Sequence, residues 1–445
     1  MPEVHLTEQL AAWLSTMTSD DVPATVRDEA SLRMLDSVGV ALAARNQPGI
    51  IALLRQVPSV SPERGVPVFG HDRFADVRDA ALANGTMAHA LDFDDSVLPS
   101  RIHPSAGLTA GLLALGHHWD TSGRELVLGF VTGFEVIVRL ADAIHPAAYE
   151  AGWHNAGLLT PLGVAAGGAV MKGADAATIE HALGIAASQS GGLLGNKGSM
   201  TKALHTGRGA WSGVLSALLA LDGFTSRPGG LDDRPGGGFV RLVGGDPAQV
   251  EVATLGVSWS VLRSAIKPYA CGVVAHPAID AAIQFRRDGI GAADVRRLSV
   301  WVPGVALELM GDHAPRGGLE AKFSLPFVVA AALVHGHGNP SLFEGDQVLE
   351  AAEVRRLMSL TDVIADESLS QEQARMSVET ADGRTHDTFV GAALGSRANP
   401  VSADGIREKF LHLGGQGDDP GRSAAIVQVL GALDDHTTRQ LTALL

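Results

Sequence analysis

Cysteine occurs once in this chain of 445 residues, as Cys271. No intrachain disulfide can form, and a reducing compartment suits such a chain. Aromatic residues are scarce, at 5 %. Positive charge is in short supply: 34 Lys and Arg stand against 49 Asp and Glu, for a formal charge of −15. That balance does not suit nucleic acid, whose binding depends on neutralising phosphates with Lys and Arg. It also disfavours an anionic membrane surface. Long apolar runs are missing too. Stretches such as Leu158 to Met171 fall short of a membrane span and contain Gly and Pro. The opening Met1 to His5 lacks a basic region followed by an apolar one, so no signal peptide is expected. The expectation is a soluble, cytoplasmic protein.

Several motifs are absent as well. There is no G-x-x-x-x-G-K-[ST], no G-x-G-x-x-G turn after a strand and no G-x-S-x-G elbow, which removes Walker-type, dinucleotide and serine-hydrolase readings. Neither His-Glu-x-x-His nor an EF-hand loop occurs. The run from Asp94 to Leu98 lacks the last carboxylate of a magnesium-holding Asp-Asp-x-x-Asp, so no metal is expected. No internal repeat or low-complexity tract is visible.

What is present reads as a compact protein, with 46 % hydrophobic and 19 % charged residues. The length exceeds what one core comfortably serves, so two domains are expected. Glycine reaches 53 residues and alanine is abundant. Side chains that small let helices approach backbone to backbone.

The first half reads as helix after helix. Thr7 can cap a short helix carrying Leu10, Ala11 and Leu14. Pro23 suits the first turn of the next, whose apolar residues Val26, Ala30, Leu35, Val38 and Leu42 follow a period near 3.6. Ser122 and Glu125 form a capping box for a helix through Leu140, and Asp175 precedes another through Ala187. Further helices are expected from about Pro161 and from about Leu204 to Leu221. Gly223 to Gly245, with Pro228 and Pro235, reads as a long loop. Beyond it the pattern is mixed. Pro277–Arg287 and Ala321–Val334 read as helices, and Val295–Val302 as a strand. Gln373–Val390 reads as a hairpin turning at Ala381–Arg384. The tail from Ser402 returns to helix. A mostly α protein accounts for this order: a large all-helical domain, residues 1–264 and 400–445, with a smaller α+β domain, residues 265–399, inserted near its C-terminal end.

Four polar clusters could carry chemistry. The densest runs from His89 through Asp92, Asp94, Asp95 and Ser96 to Arg101 and His103, between two helices. A carboxylate can orient a histidine and raise its basicity, so this segment suits acid–base work. Asp94 and Asp95 can equally be solvated helix-terminal charges. The second is Gly152 to Asn155, containing His154. The third, Gly198 to Arg208, places Lys202, His205 and Arg208 three residues apart near a helix start, where free N–H groups receive an anion. The fourth, Ile266 to Gly272 and then His276, lies at the expected domain junction, where clefts form. Lys267 there can pair with a carboxylate, while Cys271 reads as packing.

In this order and spacing the segments resemble the MmgE/PrpD family, which includes 2-methylcitrate dehydratases, cis-aconitate decarboxylases and iminodisuccinate epimerases. The resemblance spans essentially the whole chain. It rests on Val26 to Val40, Asn84 to Asp95, His103 to Ser105, Gly152 to His154, Lys202 to Gly207 and Lys267 to Tyr269. It implies a helical domain with an α+β lid, a homodimer, and a site between the domains that uses no metal and no organic cofactor. It implies working residues at Asp92, Ser96, His103, His154, Lys202 and Lys267. Ser96 stands where the decarboxylases carry threonine, and the spacing to His103 is one residue longer, with Arg101 inside the loop. Phe327 stands where a tyrosine is expected, which favours dehydration over decarboxylation.

The family chemistry moves a proton at carbon next to a carboxylate, through an intermediate that needs nearby positive charge. On that basis His103 moves the proton, Asp92 orients it, and His154 is a second acid–base group on the opposite face. Ser96, Lys202, Lys267, Arg101, His205 and Arg208 hold a small anionic di- or tricarboxylate. The expected activity is a metal-independent, 2-methylcitrate dehydratase-like lyase. The alternatives are an epimerase of an amino- or iminodicarboxylate and a cis-aconitate decarboxylase. A metal-dependent helical hydrolase or synthase using Asp92, Asp94 and Asp95 is a rival of a different class.

Overall fold

The computed structural model describes residues 5–232, 237–414 and 420–445. Met1 to Val4, and Pro235 within the Gly/Pro-rich stretch, lie outside them. The fold is predominantly helical, with a smaller α/β region late in the chain. Among the described residues no helix is long and apolar enough to cross a membrane.

Helix Asn155–Met171 packs against both Gly123–Ile144 and Met200–Leu221, and Val77–Ala90 and Ser105–Trp119 close the bundle. Glycine makes those contacts possible. A Cβ on Gly133 would lie 2.5 Å from the carbonyl oxygen of Gly163, and one on Gly129 would lie 2.8 Å from that of Gly167. Two helices therefore cross with backbone against backbone, as the Gly- and Ala-rich composition suggests. Overpacking such a crossing costs typically about 1–3 kcal/mol. Gly133→Ala is expected to lose that much stability in urea unfolding; a midpoint unchanged from the parent would contradict it.

The local signals play out unevenly. Ser122 and Glu125 do form a capping box, and Asp175 accepts from the Thr178 N–H at 2.8 Å. Thr7 does not cap. It lies inside Leu6–Thr16, and its hydroxyl bonds the buried Asp232 carboxylate. The helix expected from Pro161 begins at Asn155, six residues earlier, because its first turn is buried among its neighbours. Tertiary packing there overrides the preference of proline for a first turn. The Gly/Pro-rich stretch includes a short helix, Phe239–Leu242.

In the α+β part a four-stranded sheet runs in the order Thr361–Ala365, Val295–Val302, Ala374–Thr380, Thr385–Val390. The first pair is parallel and the others antiparallel. The hairpin turns at Ala381–Arg384, with Gly383 at positive φ. Helix His276–Arg287 packs on the hairpin strands and on Leu325–His335. The single helix expected over Ala321–Val334 is split: Ser324 caps Leu325–His335, and a short helix, Gly318–Ala321, precedes it. The chain then returns to the first part, with Ala403–Gly414 lying on Ala24–Ala44 and Thr438–Thr442 on Ser105–Trp119.

Candidate active site

The segment between Val77–Ala90 and Ser105–Trp119 is buried from Leu91 to Val97, and its three aspartates have distinct partners. Asp95 caps the second helix: its carboxylate accepts from the Ser105 N–H at 3.1 Å and the Ser105 hydroxyl at 2.7 Å, and Ser264 Oγ also donates to it. Burial pushes Asp95 up to about 6 against those hydrogen bonds. Asp94 accepts from His89 Nδ1 at 2.8 Å. Asp92 adopts a left-handed backbone, φ 52°, which brings its Oδ1 to 2.5 Å from Lys267 Nζ and 3.2 Å from Lys202 Nζ. Burial opposes its ionisation, yet the two ammonium groups hold its carboxyl well below the usual range. None of the three is a solvated surface charge.

His103 is oriented differently from expectation. Its Nδ1 donates to the backbone carbonyl of Asp95 at 2.9 Å, with the Asp94 carboxylate 3.8 Å away. Asp92 bridges the lysines and does not set the His103 tautomer. Fixing the proton on Nδ1 leaves Nε2 as a bare lone pair, with no hydrogen bond to a described residue. Burial, and then the Lys267 ammonium, pull His103 down to about 3, so the free protein holds it neutral.

Four imidazoles form a row. The ring of His89 lies 5.0 Å from that of His103 and 5.8 Å from that of His154, and His154 lies 5.2 Å from His205. His154 and His205 share one hydrogen bond, Nδ1 to Nδ1 at 3.1 Å. His89 is the hub, because its Nε2 accepts from Lys202 Nζ at 3.0 Å while Nδ1 donates to Asp94.

Asp92, Ser96, Arg101, His103, His154, Lys202, His205 and Lys267 all line one cavity of about 640 Å³, part of it open to solvent. Ser96 is anchored by backbone bonds to Ala265 in both directions, and its buried hydroxyl, which can both donate and accept, has no hydrogen-bond partner among the described residues. Arg208 is not at the cavity. Its guanidinium stacks over Trp211 at 4.5 Å and donates to Ser212. The assignment of Arg208 to the substrate is therefore corrected: its helix turns it away from Lys202.

Two polar lining residues lie outside the site residues expected from the sequence, Lys197 and Tyr149. Lys197 donates to the Leu309 carbonyl at 2.8 Å, and Tyr149 sits under the Arg101 guanidinium at 5.1 Å. Neither stands in a pattern that sequence alone would single out. Phe327, by contrast, is fully buried against Phe343 and does not line the cavity. By its position Phe327 gives no ground for ranking dehydration over decarboxylation. Cys271 is buried, and burial pushes its thiol up to about 12, as a packing residue requires.

His89, Asp94 and His103 stand close enough to offer three ligand atoms to a metal ion. Their environment suits one poorly. Both ring Nδ1 atoms are committed to oxygen acceptors, and the Lys202 ammonium occupies the remaining face of His89. A dication there would also meet the field of Lys267, which acts on both Asp94 and His103.

Residues 8–251 match the MmgE/PrpD N-terminal domain and residues 269–432 the MmgE/PrpD C-terminal domain. A cis-aconitate decarboxylase-like protein of Aspergillus oryzae is 26% identical, over 93% of this chain and 91% of its own length. The cis-aconitate decarboxylase of Aspergillus terreus is 26% identical, over 97% of this chain and 94% of its own. The human cis-aconitate decarboxylase is 28% identical, over 74% and 71%.

Proposed function

We propose that this chain, which belongs to the MmgE/PrpD family, is a metal-independent lyase that decarboxylates a small unsaturated tricarboxylate of the cis-aconitate type. The observation that carries the reading is one cavity in which Arg101, Lys197, Lys202 and Lys267 converge beside His103 and its free Nε2. Asp92 is the one carboxylate among the lining residues, so the cavity is strongly cationic inside an acidic protein. The named relatives supply the substrate class.

In such a substrate the electron pair of the breaking C–CO2 bond forms a new terminal alkene. The old alkene opens and takes a proton at the carbon beside a second carboxylate. One proton is consumed for each CO2 released. The charge that spreads onto the retained carboxylates during this step is what the fixed ammonium groups stabilise. His103 delivers the proton from Nε2. In the free protein burial, and then the Lys267 ammonium, keep it neutral, and a bound polyanion favours its charged form by offsetting the Lys267 field. His154 stands by as a second acid–base group, its tautomer tied to that of His205.

Incubation with cis-aconitate in D2O, followed by proton and carbon NMR, tests the reading. A methylene succinate carrying one deuterium, formed with CO2, is expected. Addition of water to give a hydroxytricarboxylate instead, or deuterium washed into an unchanged skeleton, would replace decarboxylation with reversible dehydration or with epimerisation. Exhaustive dialysis against EDTA is expected to leave the rate unchanged. Loss of activity that zinc or magnesium restores would overturn metal independence.

A further inference from the structure

We propose that Lys322 and Lys409 are positioning residues which, together with Lys267, clamp the Leu91–Phe93 segment and so hold Asp92 in its left-handed conformation. The three ammonium groups take three successive carbonyls. Lys322 Nζ donates to Leu91 O at 2.7 Å, Lys267 Nζ to Asp92 O at 3.1 Å, and Lys409 Nζ to Phe93 O at 2.7 Å. Each outer lysine also grips the junction loop: Lys322 donates to Ala270 O at 2.8 Å and Lys409 to Lys267 O at 3.0 Å. The two loops that carry Asp92 and Lys267 are thus bound to each other on both sides of their own ion pair.

The placement follows from local electrostatics. Leu91 caps the C-terminus of the fourteen-residue helix Val77–Ala90, where unpaired carbonyls and the helix dipole attract cations. A lysine has three donors, enough to bridge two carbonyls and keep one. Lys409 has a carboxylate partner, Asp36, at 2.7 Å. Lys322 has none within ion-pair distance among the described residues, although it is 4% exposed and sits 4.2 Å over the Phe343 ring. Burying an ammonium without a counterion is expensive, and a neutral side chain would serve packing better. What it gains is the position of the Leu91 carbonyl. Asp tolerates positive φ better than most residues, as Asp120 also shows, yet the conformation still carries a cost that the clamp offsets. Released, the backbone relaxes and the carboxylate leaves the gap between Lys202 and Lys267.

The clamp joins distant parts of the chain. Lys322 lies in the break before Leu325–His335, and Lys409 in the returning helix Ala403–Gly414. Seating of the α+β part therefore completes the surroundings of Asp92. Burial, foremost, pulls Lys322 down to about 8; Asp92 and Cys271 oppose this, while Lys267 and Lys202 add to it. Loss of its proton leaves two N–H donors for the two carbonyls but removes the charge that makes those bonds strong.

The kinetic consequence rests on the proposed lyase reading, and the geometry does not, so the test has two arms. In the crystal structure of ligand-free, full-length Lys322→Met, Asp92 is expected to leave positive φ and lose its contact with Lys202. An Asp92 unchanged in both respects overturns the clamp. In the assay, Lys322→Met is expected to lose roughly tenfold to hundredfold in kcat, the scale of a misplaced reacting group, with a smaller change in KM. Lys322→Arg, whose guanidinium does not titrate in this range, is expected to recover much of the rate and to shift the alkaline limb of kcat upward. Wild-type kcat and an unmoved pH profile in both variants would refute the role. Should Lys322→Met fail to fold, the profile of Lys322→Arg and the same two measurements on Lys409→Met decide. A wild-type protein inactive on every carboxylate would sink the lyase reading, and the crystallographic arm would still judge the clamp.

Discussion

His103→Gln is expected to lower kcat about 10²–10⁴-fold, the usual contribution of a positioned proton donor or acceptor, while KM stays within a fewfold of the parent. Glutamine can still donate to the Asp95 carbonyl that now holds Nδ1, so the loop keeps its shape. It cannot carry a proton at the position of Nε2. The lysines and Arg101, proposed to hold the anion, are untouched, so binding is expected to survive. A variant that turns over at the parental rate would move the chemistry to another group, with His154 the first to examine.

The second large effect concerns stability. Asp92→Asn removes the carboxylate that, among the described residues, pairs with both Lys202 and Lys267. Breaking a buried pair by deleting one partner costs about 3–5 kcal/mol, because the remaining charge stays uncompensated. Urea unfolding at neutral pH is expected to show a loss of that size, together with loss of turnover. A near-parental midpoint would mean that the lysines shed their protons or find water instead.

The pH dependence of stability follows from the same groups. The folded pKa of Asp92 is depressed, so its contribution is present above the unfolded carboxylate value, near 3.9, and is lost as pH falls through the folded value. His103 and His276 are held neutral down to about 3, whereas unfolded histidine protonates near 6.5. Between those values the unfolded chain binds more protons, so acid weakens the fold from about pH 6.5 downward. Asp95, pushed up to about 6, binds its proton earlier in the folded state and offsets part of that loss between about 6 and 3.9. The Asn variant is therefore expected to lose Asp92's share of the most acidic part of the parental profile, a region that Asp94, also held below the usual carboxylate range, continues to supply, and to keep the histidine part.

The parts of this structure that sequence made legible are those settled within a few residues. The capping box at Ser122 and Glu125, the strand Val295–Val302 and the hairpin at Ala381–Arg384 depend on neighbours that sequence displays. The strand Thr361–Ala365 was not legible, since it is five residues long, mostly exposed and defined by its parallel pairing to Val295–Val302. At the site, residue type pointed to Asp92, His103, His154, Lys202 and Lys267, and the fold gathers them. Their wiring could not be read in advance. That Lys267 serves Asp92, that Asp95 steers His103 through a backbone carbonyl, and that Arg208 turns away are matters of reach between elements far apart in the chain. Lys409 and Phe93 are 316 residues apart. No local pattern marks such a pair.

The returning helix Ala403–Gly414 has a consequence for how the protein is made. Asp36 lies buried in Ala24–Ala44, near the start of the chain, and its ammonium partner is Lys409, near the end. During synthesis the first helices emerge with that carboxylate, and the apolar face beneath it, still bare, and they stay so while the whole α+β part is translated. The helical body is thus finished last although it is begun first. A ribosome stalled anywhere before residue 403 holds a bundle with an open seam, which a chaperone or a protease can recognise.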